Sequence, residues 1–401
     1  MELNQDVVDR YSRQLILKEI SLHGQTKLAQ SRILVIGAGG LGCPLTLYCC
    51  AAGVGTIGIV DNDCVEVSNL HRQVCHDVNQ TGKPKVDSLE ETLKALNPLV
   101  NIVKFKEKLT RENAVGIFQN FDMIVDCSDN APTRYLASDA SVVLKKPLVS
   151  SSALRFEGQL TVYRPFEDDN PCYRCIFPEP PDPSVTGSCS SVGVMGFVCG
   201  VMGSLQAQEV VKQIVGLPNP LVKKMLVYDG LSCTFRTIKL RSKSKECKCV
   251  SLPTSLDSFE DVVFKCGPSC KVLSDEERLS PELYSKMITD KKPHILIDVR
   301  NACETLFSNL NLNDEAMYMN CPIKSLANDE NVAKLVTSVE SKAQNGGGNT
   351  VVVMCKRGNN SQKAVEELKR AGLNKTVELK DIKGGLFALK DLMPESNIFF
   401  Y

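Results

Sequence analysis

Two loops of this chain carry residue types suited to chemistry, and the chemistries differ. Gly37-Ala38-Gly39-Gly40-Leu41-Gly42 follows the apolar run Ile33-Leu34-Val35-Ile36. Its glycines permit a tight turn and let backbone N–H groups close on a phosphate at a helix N-terminus. Cys355-Lys356-Arg357-Gly358-Asn359-Asn360-Ser361 follows Val351-Val352-Val353-Met354. A loop of that form aims N–H groups at the sulfur, and the helix after it adds to the field. Such fields lower a thiol pKa and favour thiolate or persulfide. Lys356 and Arg357 add positive charge. A tyrosine phosphatase loop is the rival, but it needs arginine where Ser361 stands. One loop suits a nucleotide and the other a charged sulfur.

The neighbours of the first loop narrow its use. Asp61 closes the next strand about 20 residues on, where a carboxylate takes a ribose diol. Alone, this fingerprint fits a nicotinamide dehydrogenase as well as an ATP enzyme. Arg13, Asn69, Arg72 and Lys85 lie on separate segments that can converge on a triphosphate. A hydride-transfer site needs an apolar nicotinamide pocket and no such cluster. Asp126-Cys127-Ser128-Asp129-Asn130 follows the strand Met123-Ile124-Val125, at the carboxyl end where open α/β sheets bind ligands. Asp129 is then placed to hold Mg2+.

The cysteines add a third feature. Cys172-Tyr173-Arg174-Cys175 is a zinc-type half site, and Cys247-Lys248-Cys249 offers the second half. Four thiolates suit a closed tetrahedral structural Zn2+, one per subunit. The second pair has a single residue between its thiols and a tighter bite, so Cys266 and Cys270 stand as alternatives. Ordinary buried thiols are the plainer reading. Cys189 ends the polar, glycine-bearing stretch Pro183-Ser184-Val185-Thr186-Gly187-Ser188 and reads as an exposed loop thiol.

These sites need positioning elements. The chain has 401 residues, 43% of them apolar, enough for two or three cores. Lysine plus arginine and aspartate plus glutamate are both 47, so the formal net charge is zero. That excludes bulk electrostatic binding of nucleic acid. Met1–Arg13 is polar and charged and reads as no signal peptide. The apolar stretch Val192–Leu205 is too short for a membrane span and is broken by glycines, which predicts a buried helix. Eighteen cysteines then sit in a reducing, cytosolic setting as ligands or nucleophiles.

The pattern predicts an α/β protein: a doubly wound, Rossmann-like domain over residues 1–250, a linker over 251–274 and a smaller α/β domain over 275–401. Strands are expected at Ile33–Ile36, Ile57–Val60, Ile102–Phe105, Met123–Asp126 and Leu148–Ser150, with helices at Gly42–Ala52 and Lys85–Leu96. Leu160–Tyr163 and Leu226–Tyr228 read as later, antiparallel strands. The poorly patterned, cysteine-rich run from Arg241 to Lys271 reads as a flexible connection. Beyond it, a helix is expected over Leu279–Ile288, strands at Ile295–Val299, Val351–Met354 and Val377–Leu379, a helix over Ser361–Ala371, and a flexible loop over Gln344–Asn349.

Five spaced motifs carry a resemblance. Tyr11-Ser12-Arg13-Gln14, Gly37 to Gly42, Ser68-Asn69-Leu70-His71-Arg72-Gln73, Gly82-Lys83-Pro84-Lys85 and Asp126 to Asn130 resemble the adenylation domain of ubiquitin-activating-type enzymes, over about residues 8–240. The resemblance implies that ATP and the C-terminal glycine carboxylate of a ubiquitin-like protein form an acyl-adenylate and pyrophosphate. It implies nucleotide contacts from Gly39, Gly40, Asp61, Ser68, Asn69, Arg72, Lys85, Asp129 and Asn130. Asp61 holds the ribose, while Asn69, Arg72 and Lys85 neutralise charge on the α-phosphate. Arg13 reaches the ATP of a neighbouring subunit, which implies a homodimer. Cys189 falls in the crossover position, where a thiol attacks the adenylate or resolves a later sulfur adduct.

A second resemblance covers about residues 275–401. Ile297-Asp298-Val299-Arg300, Glu304, the Cys355–Ser361 loop and Gly384-Gly385-Leu386 resemble a rhodanese domain. It implies that Cys355 carries a persulfide from a donor such as a cysteine desulfurase. The tryptophan expected after Gly385 is replaced, with Leu389 nearby, and Asn360 stands where relatives often carry aspartate. The fusion in this order is similar to the eukaryotic adenylyltransferase and sulfurtransferase family of molybdenum cofactor synthesis. It implies partners with a C-terminal Gly-Gly, namely the molybdopterin synthase small subunit and a ubiquitin-related modifier, and a role in 2-thiolation of tRNA wobble uridine. A nicotinamide oxidoreductase and a non-catalytic scaffold for ubiquitin-like tails remain the rivals.

Overall fold

The computed structural model describes residues 5–180, 193–218, 221–262, 273–310, 312 and 316–399. The chain forms two compact units, Met1–Phe264 and Lys265–Tyr401.

The first unit is built on eight strands: β1 Arg32–Ile36, β2 Thr56–Val60, β3 Asn101–Phe105, β4 Met123–Asp126, β5 Leu148–Leu154, β6 Glu157–Tyr163, β7 Lys224–Asp229 and β8 Thr234–Lys239. Their order is β3-β2-β1-β4-β5-β6-β7-β8. Pairing is parallel from β3 through β5 and antiparallel from β5 to β8. β1, β2 and β4 are buried on both faces, which is why they read as unbroken apolar runs. Alternate residues serve opposite faces. Ile33, Val35, Ile57 and Ile59 join one apolar cluster, while Leu34, Ile36, Val60 and Ile124 join another.

The glycine-broken run predicted as a buried helix is the helix Gly196–Val215, packed across β5 and β6. Its glycines are close-approach positions. A Cβ at Gly203 would stand 2.5 Å from the Leu41 carbonyl oxygen, and one at Gly196 2.3 Å from that of His71. The helix thereby presses directly on the segments around the glycine loop. Among the described residues, no helix is long and apolar enough to cross a membrane.

The second unit has five parallel strands, β9 Arg278–Leu279, β10 His294–Asp298, β11 Ala316–Asn320, β12 Thr350–Met354 and β13 Glu378–Ile382, in the order β11-β10-β12-β13-β9. Several expected elements shift. Leu279 is in a strand, and the helix starts at Pro281, capped by the Ser280 side chain on Leu283 N–H. Proline at the first helical turn cannot extend the helix backwards. After the helix Asp329–Lys342 the chain makes a wide turn over Ala343–Gly347, and the backbone leaves helical geometry at Asn345 and Gly346 (φ +99°), within the stretch expected as a loop. Leu389 is fully buried in an apolar cluster with Leu386 and Met393.

Residues 251–262 pack on the first unit. Leu256 and Phe259 are buried, and Arg111 donates to both their carbonyl oxygens. The rest of the expected linker, apart from Leu273 and Ser274, lies outside the described residues.

Candidate nucleotide and sulfur sites

The strand order reverses between β1 and β4, so a crevice opens at their carboxyl ends. The glycine loop leaves β1 there, Asp61 follows β2, and Asp126 ends β4. Gly37 adopts φ +100°, and a Cβ on it would stand 2.9 Å from the Cys127 carbonyl oxygen. Only glycine fits that turn. Asp61 accepts from Ala38 N–H (2.7 Å) and Asp63 N–H (2.8 Å), which fixes the loop to the end of β2. Burial pushes the Asp61 carboxyl up, against the pull of Lys85.

The expected cationic residues gather here with acidic partners. Lys85, buried at the first turn of the helix Lys85–Leu96, donates to Asp63 at 2.8 Å. Arg72 donates to Asn69 Oδ1 at 2.8 Å, and its Cγ lies 3.3 Å from where a Gly40 side chain would begin. Ser68 and Asn69 both donate to Glu66, at 3.2 and 3.3 Å. Glu66 and Asp63 were not expected as members of the site. Glu66 holds Ser68 and Asn69, and Asp63 holds Lys85. A carboxylate one or two residues from the motif carries no signal of its own in sequence.

Asp126 and Asp129 differ in kind. Asp126 is fully buried and accepts from Ser128 N–H (3.0 Å), Ser128 Oγ (2.6 Å) and Ser150 Oγ (2.7 Å). It shapes the turn. Asp129 is exposed, with Asn130 Nδ2 at 3.4 Å. Asn130 caps the next helix by accepting from Thr133 N–H. Arg13 is exposed in the last turn of the helix Gln5–Leu15, and no contact among the described residues joins it to this crevice. Cys189 lies outside the described residues.

Cys172, Cys175, Cys247 and Cys249 form one cluster, with all four sulfurs within 4.8 Å of one another. Cys172 lies 3.7 Å from Cys175 and 3.5 Å from Cys247, and Cys175 lies 3.5 Å from Cys249. Zn–S bonds of about 2.3 Å give tetrahedral S···S edges of about 3.8 Å, so the donor set fits zinc without rearrangement. Ser244 N–H donates to the Cys175 sulfur at 3.4 Å, as outer partners of ligands do. Arg174 seats the first pair through two 2.8 Å bonds to buried Asp139 and stacks on Tyr135 and Phe259. Cys266 and Cys270 lie outside the described residues.

In the second unit Cys355 is buried at the end of β12. Its sulfur accepts from Gly358 N–H at 3.1 Å and lies 3.4 Å from Ser361 Oγ. Gly358 and Gly385 have positive φ and meet closely, since a Cβ on Gly385 would stand 2.7 Å from Gly358 N. Ser361 donates to Asp381 (3.0 Å), which Arg278 grips with bonds of 2.8 and 3.1 Å. Arg278 also donates to the Gly358 carbonyl at 3.2 Å, so one guanidinium braces both the acid and the loop. Lys356 and Arg357 lie over the Phe387 ring, at 5.4 and 5.8 Å from its centroid. Arg278 and Asp381, distant in sequence, carried no motif. Glu304 caps its own short helix by accepting from Asn301.

The comparisons with known proteins follow this geometry. The model of the ThiF family matches residues 11–249. "Adenylyltransferase and sulfurtransferase MOCS3" of Bos taurus is 42% identical over 399 residues, covering 96% of this chain and 86% of that protein. The protein of the same name in Xenopus laevis is 43% identical over the same coverage. MOCS3-1 of Zea mays is 40% identical, covering 98% and 84%. Escherichia coli MccB, solved with ATP, superposes with TM-score 0.53 at 20% identity over 60% of this chain and 74% of that one. PaaA gives TM-score 0.51 at 23% identity, over 59% and 75%. At those identities the structural likeness bears on fold alone. A ThiF match over more than half of the chain, and relatives at about 40% identity along nearly all of it, accord with a glycine-loop unit followed by a thiol-loop unit: the chain belongs to the ThiF family and is an adenylyltransferase and sulfurtransferase.

Proposed function

We propose that the chain activates the C-terminal glycine of ubiquitin-like sulfur carriers with ATP and converts it to a thiocarboxylate. The carriers are the molybdopterin synthase small subunit and a ubiquitin-related modifier, and the products serve molybdenum cofactor synthesis and wobble-uridine 2-thiolation in the cytosol. The observation that carries this is one chain holding both a nucleotide crevice flanked by Lys85, Arg72 and Asn69 and a buried thiol that accepts from Gly358 N–H.

The carrier carboxylate attacks the α-phosphate of ATP, giving acyl-adenylate and pyrophosphate. Asn69, Arg72 and Lys85 meet the developing charge, and Asp61 takes the ribose. Asp129, with Asn130 beside it, would hold Mg2+, which supplies charge neutralisation at the phosphates. The persulfide on Cys355, loaded by a donor such as a cysteine desulfurase, attacks the acyl carbon and expels AMP, leaving an acyl disulfide. Cys189 thiolate then attacks the Cys355 sulfur of that disulfide. The carrier leaves as thiocarboxylate, Cys189 and Cys355 are joined, and a dithiol reductant restores both. In the variant order Cys189 first takes the acyl group as a thioester. The four-cysteine cluster would hold a structural Zn2+. The enzyme works as a homodimer in which Arg13 reaches the partner's nucleotide.

Intact mass of a carrier after incubation with ATP, a sulfur donor and this protein tests the reading. The exchange of oxygen for sulfur at the carrier terminus is the expected result, dependent on both Lys85 and Cys355. An unchanged carrier mass overturns it. Trapping an acyl intermediate on the Cys355→Ala protein separates the two orders.

A further inference from the structure

We propose that His76 is a positioning residue of the adenylation site, held as an imidazolium that braces the glycine loop from behind. The inference rests on the ATP-dependent reading above. His76 is buried between the Arg72 segment and the helix that begins at Lys85. Its Nε2 lies 2.9 Å from the Ala38 carbonyl oxygen and its Nδ1 2.6 Å from Ser88 Oγ.

Donor accounting fixes the protonation of the ring. A carbonyl oxygen only accepts, so Nε2 carries a proton. Ser88 has one hydroxyl proton and gives it to Gln80 Oε1 at 2.6 Å. The Gln80 amide cannot be turned round: Oε1 also accepts from Asp77 N–H, and Nε2 donates to the Glu91 carboxylate. Ser88 therefore offers His76 only a lone pair, and Nδ1 carries a proton too. With both nitrogens donating, the ring is charged. His71 is the contrast, with Nδ1 donating to Ser68 O and Nε2 accepting from Arg72.

The groups around the ring are Cys43 on the helix Gly42–Ala52, Cys75 on its own segment, Lys85, and Glu91 through Gln80. Burial and Lys85 work against the charge. The Cys43 thiol, brought down to about 6 chiefly by its hydrogen bond with Cys75, favours it, and the balance raises His76 above its ordinary value.

The position gives the charge a use. The Ala38 carbonyl and the Gly39 N–H belong to one peptide unit. A cation on the oxygen polarises that unit and makes the N–H a stronger donor toward phosphate. The Gly39 and Gly40 N–H groups have no protein acceptor among the described residues. Through Ser88 the same ring ties the loop to the helix that carries Lys85, so loop and lysine share one frame.

The test is calorimetric binding of magnesium ATP from about pH 6 to about pH 9.5 by the wild type, His76→Gln, Ser88→Ala and Cys43→Ala. Wild-type affinity is expected to fall about tenfold as the imidazolium loses its proton. His76→Gln keeps a donor for Ala38 but no charge, and is expected to bind weakly with a flat profile. Ser88→Ala and Cys43→Ala are both expected to move the wild-type transition to lower pH. Wild-type affinity in His76→Gln at every pH, or a transition that Ser88→Ala leaves at the wild-type pH, overturns the inference alone. Absence of ATP binding by the wild type overturns the functional reading with it.

Discussion

Ser361 gives its one hydroxyl proton to Asp381 at 3.0 Å while its oxygen stands 3.4 Å from the Cys355 sulfur. The serine therefore accepts from a Cys355 thiol and can turn its proton to the sulfur once that thiol ionises. Ser361→Ala should slow persulfide formation on Cys355 by about 3- to 10-fold, the worth of one hydrogen bond, in a thiosulfate–cyanide assay. Asp381→Asn should act differently. It leaves the mostly buried Arg278 guanidinium without its anion, and should destabilise the second unit by about 2–3 kcal/mol in urea denaturation.

Lys85→Ala should separate the half-reactions. Pyrophosphate release with ATP and a carrier should fall by about 100- to 1000-fold, as expected for loss of one preorganised charge. Persulfide loading of Cys355 should be unchanged. Both follow from quantitative rates on one preparation.

Purified protein should hold one zinc per chain by elemental analysis. Removal by a chelator, or Cys249→Ser, should lower the melting temperature of the first unit, because metal binding and folding are linked at closed four-thiolate sites. The second unit should melt as before. Zinc loss with no change in either transition would contradict the structural role.

Acid should weaken the second unit through Glu277. Its hydrogen bond with Lys369, first among several, holds the carboxyl down at about 2 instead of 4.5. The folded value lies below the unfolded one, so the contribution is present above about 4.5 and is lost as pH falls toward about 2. Glu277→Gln should show a shallower loss of stability over that interval in denaturant titrations. The pair is partly exposed, so the difference should shrink in high salt.

Much of this was legible in the chain because local pattern and burial agree. β1 and β2 are covered on both faces, so their runs are apolar without interruption. β8 was not expected: Thr-Phe-Arg-Thr-Ile-Lys lies exposed at the sheet edge, where nothing enforces a pattern. β11 is short and its methionines are neutral to strand signals. At the sites, residues inside glycine and cysteine motifs stood out. Their partners did not, since Arg278 meets Asp381 across 103 positions and His76 meets Ala38 across 38. Spatial pairing of that sort leaves no trace in spacing. Cys189, legible as a loop thiol, lies outside the described residues and stays an expectation.

The apolar clusters have a practical consequence. Among the described residues, none of them draws from both units. Each half therefore carries its own means of folding. A fragment cut between them should therefore keep the hydrophobic interior that its own residues build.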